Sequence, residues 1–179
     1  NETLEFLNKL NNCYELIENL EIPTIARIHG ATLGGGAELA LCCDIIVFNE
    51  FSEGLTTSHD DVKVGFPETT IGIIPGAGGT YRIYKKMNSN IAKYWILSGK
   101  IFSLQEAIRD GFIIDIDETD LLSSLKNNSR TSLIAAKKSM NKCYLEPDRK
   151  KQRLIELEEY KKTLDSPERK EALRKYKKK

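Results

Sequence analysis

Residues 29–40 have the sequence "HGATLGGGAELA", a glycine triplet followed by one carboxylate, Glu38, in an otherwise apolar segment. The apolar run "TIARI" at residues 24–28 precedes this stretch, and "DIIVF" at residues 44–48 follows it. Short apolar runs bounded by turn residues predict buried strands, and the segment Gly36–Cys43 predicts a helix. The order strand, turn, helix, strand indicates an α/β layered fold.

The glycine triplet suits the binding of an oxyanion better than the binding of a nucleotide. A P-loop needs a lysine after its last glycine, and a dinucleotide fingerprint needs a third spaced glycine. Neither residues 34–36 nor "PGAGGTYR" at residues 75–82 meets these patterns. Glycine lets a backbone N–H approach a ligand closely, and the first N–H groups of a helix have no internal partner and lie at the positive end of its dipole. The start of this helix therefore suits the enolate oxygen of an activated thioester.

Two glutamates are the candidate acid and base. Glu38 lies in the first turn of the predicted helix, where a carboxylate is also stabilising without any catalytic role. Glu68 follows Pro67 in "GFPETTIGIIPGAGG" at residues 65–79, ahead of a second glycine-rich turn. Two carboxylates that flank one cleft can hold a water molecule, one accepting its proton while the other delivers one. Spacing along the chain does not by itself establish that the two meet.

Composition excludes several classes of protein. Of the 179 residues, 40% are hydrophobic and 30% are charged, which is typical of a globular domain. Lys+Arg number 27 and Asp+Glu 26, so no net charge favours nucleic acid, although the last residues are basic. The four cysteines lack C-x-x-C spacing and there are two histidines. We therefore predict no metal site, and reduced thiols in an intracellular, reducing compartment. No apolar run has the length that spans a bilayer, and we predict no membrane partner.

The rest of the chain predicts mainly helices. Apolar residues at helical spacing predict an amphipathic helix over residues 3–20, and the polar residues 49–61 predict a surface loop. The run "GFIIDI" at residues 111–116 predicts a further strand. Helices are predicted at Tyr81–Lys86, Ile91–Leu97, Leu104–Asp110, Thr119–Lys126, Thr131–Tyr144, Asp148–Leu164 and from Pro167 onward. We therefore predict an α/β core over residues 1–117 and a helical C-terminal region over residues 118–179.

Two stretches together resemble the crotonase (enoyl-CoA hydratase) superfamily: "IPTIARIHGATLGGGAELALCCDIIVF" at residues 22–48 and "VGFPETTIGIIPGAGGTYRI" at residues 64–83. The resemblance continues through "LSGKIFSLQEAIRDGFIIDI" and "LDSPERKEALRKYKKK". It implies a crotonase-like α/β fold, a spiral of ββα repeats with a C-terminal helical trimerisation region. The family's N-terminal βα units, with the "G-A-D" motif that carries the second oxyanion donor, have no counterpart in this sequence. We therefore expect a fragment that does not turn over substrate by itself.

The resemblance also implies roles for individual residues. Gly35 is expected to donate its N–H to the oxyanion. Glu38 and Glu68 are expected to bind and activate the water, and Gly76 to lie beside it. Thr32 stands where relatives have Ala or Ser, and it is expected to narrow the pocket. The residues expected to bind substrate are Thr32, Leu33, Gly34, Pro67, Lys177 and Lys178, with the two lysines near the adenine and 3′-phosphate of coenzyme A.

Because both glutamates are present, we predict a hydratase, a lyase that adds water across the 2,3 double bond of an enoyl-CoA thioester. No cofactor is expected beyond the coenzyme A of the substrate. The alternatives are an enoyl-CoA isomerase, a 3-hydroxyacyl-CoA hydrolase, and an AU-rich RNA-binding homologue. The lysine-rich helices, however, lack the interleaved aromatic residues that stack on bases. The resemblance further implies a homotrimer or a dimer of trimers that acts in fatty acid metabolism, in the mitochondrion or the cytoplasm.

Overall fold

The structure is a computed structural model, and the residues that it describes are 1–49, 51–52, 55–56 and 58–176. The chain divides into two compact units: Asn1–Leu20 with Thr24–Glu118, and Glu21–Pro23 with Thr119–Lys179. Among the described residues we find no helix with the length and apolar character that crossing a membrane requires.

Small sheets and short helices alternate in the first unit. The described strands are β1 (Ile25–Ile28), β2 (Ala31–Leu33), β3 (Ile45–Phe48), β4 (Phe51–Ser52), β5 (Leu55–Thr56), β6 (Lys63–Gly65) and β7 (Ile101–Ser103). The described α-helices are α1 (Glu2–Glu18), α2 (Gly35–Leu41), α3 (Gly79–Arg82), α4 (Ser89–Ser98) and α5 (Leu104–Arg109). The 3-10 helices are His59–Asp61, Pro67–Ile71 and Ile83–Lys85.

Parallel pairing connects the elements on either side of the glycine triplet. β1 pairs in parallel with β3, so β2 and α2 together form the crossover between these two strands. β2 pairs in parallel with β6, which in turn pairs antiparallel with β7. β4 and β5 form a separate antiparallel pair. β2 and β6 therefore lie side by side. The glycine triplet follows β2, and Glu68 follows β6.

The core of the first unit is built around Trp95, the single tryptophan of the chain. Its indole stacks on Phe102 with ring centroids 4.1 Å apart and on Phe112 with centroids 5.4 Å apart. The indole Nε1 donates a hydrogen bond to Asp110 Oδ2 at 2.8 Å, so its polar atom is satisfied. Phe102 belongs to β7, so this stack anchors β7 and, through strand pairing, the end of β6 that leads to Glu68.

Most predicted helices are confirmed, with small shifts at their ends. The predicted cap of α5 is present: Ser103 Oγ accepts from Glu106 N at 3.3 Å, and Glu106 Oε2 accepts from Ser103 N at 2.9 Å. The strands predicted from "TIARI" and "DIIVF" are β1 and β3. The polar stretch predicted as a surface loop also contains β4, β5 and a 3-10 helix.

The strand predicted at residues 111–116 is wrong. Only Ile114 pairs there, in an isolated bridge to Val47, with its N–H donating to Ile46 O at 2.9 Å. Two residues later, the N–H of Ile116 donates back to Ile114 O at 3.2 Å. A hydrogen bond over two residues closes a tight turn, and this turn ends the extended conformation before a strand can form.

Four helices joined by short connections occupy residues 118–176. The helices are α6 (Glu118–Asn127), α7 (Arg130–Leu145), α8 (Arg149–Leu164) and α9 (Pro167–Tyr176). α7 and α8 pack together around the carboxylate of Glu159, which is 1% exposed. Lys142 Nζ lies 2.7 Å from its Oε1, and Lys162 Nζ lies 2.7 Å from its Oε2. A buried carboxylate is tolerated here because each of its oxygens has a cationic partner.

Candidate active site

The glycine triplet forms a sharp turn between β2 and α2. Gly34 precedes the helix with φ of 51°, a conformation that favours glycine, and its N–H donates to Gly65 O at 3.0 Å. This bond ties the turn to the end of β6. Gly35 is the exposed first residue of α2, so its N–H has no acceptor within the helix. The exposed start of α2 is therefore a place where a backbone N–H can meet a ligand.

Glu38 lies one turn into α2 and is 3% exposed. Its Oε1 accepts two backbone hydrogen bonds, from Ala77 N and from Gly79 N, each at 2.8 Å. Both bonds fall on the same oxygen, so the carboxylate is fixed in orientation while Oε2 lies outside this pair of bonds. The second glycine-rich turn thus folds around Glu38, although the two are far apart in the sequence.

Glu68 reaches the first turn from the other side. It lies in the 3-10 helix that follows β6, and a Cβ placed on Gly34 would lie 3.0 Å from its Oε1. Its Oε2 is buried without a hydrogen-bond partner among the described residues. Burial raises the pKa of the Glu68 carboxyl, and the negative charge of Glu38 raises that pKa further. The structure therefore places the Glu68 carboxylate beside the turn that begins the helix of Glu38, near enough for the charge of Glu38 to act on it.

The other predicted site residues lie around this turn. Thr32 and Leu33 are half-buried in β2, directly before Gly34, and Pro67 is half-buried at the start of the 3-10 helix of Glu68. Gly76 is half-buried in the second glycine-rich turn, and its carbonyl accepts from Asn11 Nδ2 at 2.9 Å. Lys177 and Lys178, predicted to bind coenzyme A, lie outside the described residues.

Sequence reasoning missed several groups that hold the site. The N–H groups of Ala77 and Gly79 were not predicted to bind Glu38, because no side-chain pattern marks a backbone donor. Asn11 and Tyr14 were also missed as polar contacts: α1 was predicted from its apolar spacing alone, yet both contact backbone carbonyls of the glycine turns. Polar residues at helical spacing on the buried side of α1 were the available signal.

Two other features of the described residues bear on the choice of this site. Within those residues, no three histidine, cysteine, aspartate or glutamate side chains cluster as a metal site would require. A hollow of about 280 Å³ in the second unit is lined by apolar residues and by Lys126, Asn128 and Arg130, with no carboxylate.

A glycine-rich helix start beside two carboxylates is an arrangement compatible with acid–base chemistry next to a backbone anion site. The chain belongs to the enoyl-CoA hydratase/isomerase family, whose model matches residues 2–179. The predicted crotonase-superfamily membership and fold class are thereby confirmed.

Two curated relatives and one solved structure illustrate the similarity. The 2,3-dehydroadipyl-CoA hydratase of Escherichia coli is 35% identical over 126 residues, covering 66% of this chain and 46% of the relative. The mitochondrial methylglutaconyl-CoA hydratase of Mus musculus is 40% identical over 113 residues, covering 63% of this chain and 33% of the relative. The crystal structure of an enoyl-CoA hydratase from Bacillus anthracis superposes with a TM-score of 0.87 at 27% identity, covering 99% of this chain and 67% of that one. The matched part is thus less than half the length of these two curated relatives.

Proposed function

We propose that the protein to which this chain belongs is a hydratase that adds water across the 2,3 double bond of an enoyl-CoA thioester. The observation that carries the proposal is the position of the Glu68 carboxylate beside the glycine turn that begins the helix of Glu38, where the charge of Glu38 acts on it. An isomerase needs one group that moves a proton, whereas hydration needs a base for the water and an acid for the substrate carbon. The names of the relatives, which are hydratases of CoA thioesters, support the substrate class.

In the proposed mechanism, the water lies between the two carboxylates. Glu38, held by two backbone N–H groups on Oε1, accepts a proton from the water as the water oxygen bonds to C3 of the substrate. The resulting enolate oxygen is stabilised by the N–H of Gly35. Glu68 then delivers a proton to C2, so that the substrate gains one H and one OH. The raised pKa of Glu68 supports its role as the acid, because at a given pH it holds a proton more readily than an ordinary glutamate.

The assay follows the loss of the conjugated enoyl-thioester absorbance in the full-length protein. We expect Glu38→Gln and Glu68→Gln each to lower kcat by about 10²–10⁴-fold, the usual contribution of a positioned acid or base. The control is Glu5→Gln, at an exposed position of α1. A product heavier than the substrate by one water establishes hydration, and a product of unchanged mass indicates isomerisation. Wild-type rates in both glutamate variants would exclude this mechanism.

We also propose a homotrimer or a dimer of trimers. Support comes from large apolar side chains on α7 and α8 that are exposed in the single chain, such as Leu145 at 75% and Leu154 at 65%. Light scattering of the full-length protein tests the assembly, and a monomer at micromolar concentration would contradict it. A mitochondrial or cytoplasmic location is proposed from the four cysteines, none of which forms a disulfide, and from the mitochondrial mouse relative. Imaging of the tagged full-length protein tests that location.

A further inference from the structure

One face of α1 carries three polar side chains whose contacts lead to the site. Asn11, Tyr14 and Glu18 are spaced i, i+3 and i+7, so they lie on the same side of the helix. Tyr14 is 7% exposed, and the other two are half-buried. Polar groups on the buried side of a helix need hydrogen-bond partners, so the partners of these three side chains show which groups the helix holds in place.

Asn11 acts on the peptide unit that holds Glu38. Its Nδ2 donates to Gly76 O at 2.9 Å and to Leu7 O at 3.0 Å. The N–H at the other end of the same peptide unit belongs to Ala77, and it donates to Glu38 Oε1 at 2.8 Å. A peptide that accepts at its oxygen and donates at its nitrogen is polarised in one direction, so each bond strengthens the other.

Glu18 acts on the next peptide unit through Arg82. The side chain of Arg82 is fully buried, and its Nε donates to Glu18 Oε2 at 2.8 Å. Its Nη1 donates to Ala77 O, also at 2.8 Å. Both carbonyls that flank the Ala77 N–H are therefore held, one by Asn11 and the other by the ion pair of Glu18 with Arg82. The Ala77 N–H, one of the two that bind Glu38, therefore has little freedom to turn away.

Tyr14 acts on the other glycine turn. Its hydroxyl donates to Gly35 O at 2.9 Å, and Gly35 is the residue whose N–H is assigned to the enolate oxygen. One face of α1 thus contacts the peptide beside the proposed oxyanion donor and the peptide whose Ala77 N–H donates to the proposed base. Through Arg82 it also holds the peptide that follows Ala77. A helix that served only to cover apolar surface would need none of these bonds.

We propose that Asn11, Tyr14 and Glu18 are positioning residues that set the orientation of the Glu38 carboxylate and of the Gly35 backbone. The kinetic consequence of this positioning role rests on the hydratase function proposed above, but its structural consequence does not. The three residues touch no reacting atom, and they act through Gly76, Arg82 and Gly35. Their loss disturbs the geometry of the reacting groups and leaves substrate binding largely unchanged.

The test compares Asn11→Leu with Asn12→Leu in the full-length protein. Both variants remove a side-chain amide from α1 without adding charge, but Asn12 is exposed. Hydrogen exchange, measured by mass spectrometry on the peptide that spans residues 76–80, reports the Ala77 and Gly79 amides without any need for activity. We expect exchange there to become at least tenfold faster in Asn11→Leu. With a 2-enoyl-CoA substrate, we expect kcat per folded molecule to fall about 10- to 100-fold, with KM within threefold of the wild type.

A second variant covers the case in which Asn11→Leu does not fold. Tyr14→Phe keeps the ring and removes only the hydroxyl, with Tyr94→Phe as the control at a residue that is 47% exposed. We expect the same loss of kcat with unchanged KM in Tyr14→Phe alone. Wild-type kcat and exchange rates in the folded variants would overturn the positioning role while leaving the hydratase function intact. A wild-type protein without hydratase activity would refute the function, and the exchange comparison alone would then decide the positioning role.

Discussion

The two hydrogen bonds to Glu38 predict that removing its side chain destabilises the first unit strongly. In Glu38→Ala, the N–H groups of Ala77 and Gly79 lose their acceptor, and both residues are buried. An unsatisfied buried donor costs about 1–3 kcal/mol, so two of them predict a loss of about 2–6 kcal/mol. Glu38→Gln retains an amide oxygen that can accept both bonds. Only the charge assistance is lost, and the expected cost is about 1 kcal/mol.

Urea unfolding followed by tryptophan fluorescence measures this difference. Trp95 is the single tryptophan, is fully buried, and lies in the same unit as Glu38, so its emission reports the unfolding of that unit. The slope of the transition should be the same in wild type and variants, so that a shift of the midpoint reflects stability alone. If Glu38→Ala lay within about 0.5 kcal/mol of the wild type, the two N–H bonds would not hold the second glycine turn, and the reasoning would be refuted.

Three further changes test other parts of the structure. The raised pKa of Glu68 means that its contribution to stability is present below its ordinary pKa of 4.5 and is lost as the pH rises through the folded value. Melting curves should therefore show Glu68→Gln as stable as the wild type near pH 4 and more stable than the wild type at pH 8. An equal difference in stability at the two pH values would contradict this. A Cβ on Gly78, whose φ is 101°, would lie 1.9 Å from Arg82 Nη1, so Gly78→Ala should cost at least about 2 kcal/mol in urea unfolding. The control is Gly30→Ala, which should leave stability nearly unchanged because no atom lies within 4 Å of the added Cβ. Equal losses of stability in the two variants would mean that the contact with Arg82 does not set the cost of Gly78→Ala. Ser103→Ala removes the cap of α5 and should cost about 0.5–2 kcal/mol by the same measurement, and no change would mean that the cap contributes nothing.

Local patterns in the sequence determined the helices and the identity of the two carboxylates. The cap of α5 was predictable because Ser103 and Glu106 lie within one turn of each other and need no other part of the chain. The glycine triplet and Glu38 were predictable for the same reason, since a helix start and its first turn are local features. Both glutamates were identified as the candidate acid and base, and their catalytic roles stay predictions.

Tertiary structure alone decided which groups meet. The three-residue strands β2 and β7 are too short to show a pattern, and they exist because β6 lies between them. Residues 111–116, predicted as a strand, pair with a neighbouring strand through one bridge only, and the chain turns there instead. Likewise, the two N–H groups that donate to Glu38 come from a segment distant in the chain. Asn11, which binds the carbonyl of the same peptide as one of these N–H groups, comes from another distant segment. A backbone donor carries no side-chain signature, so only the folded chain shows where it points.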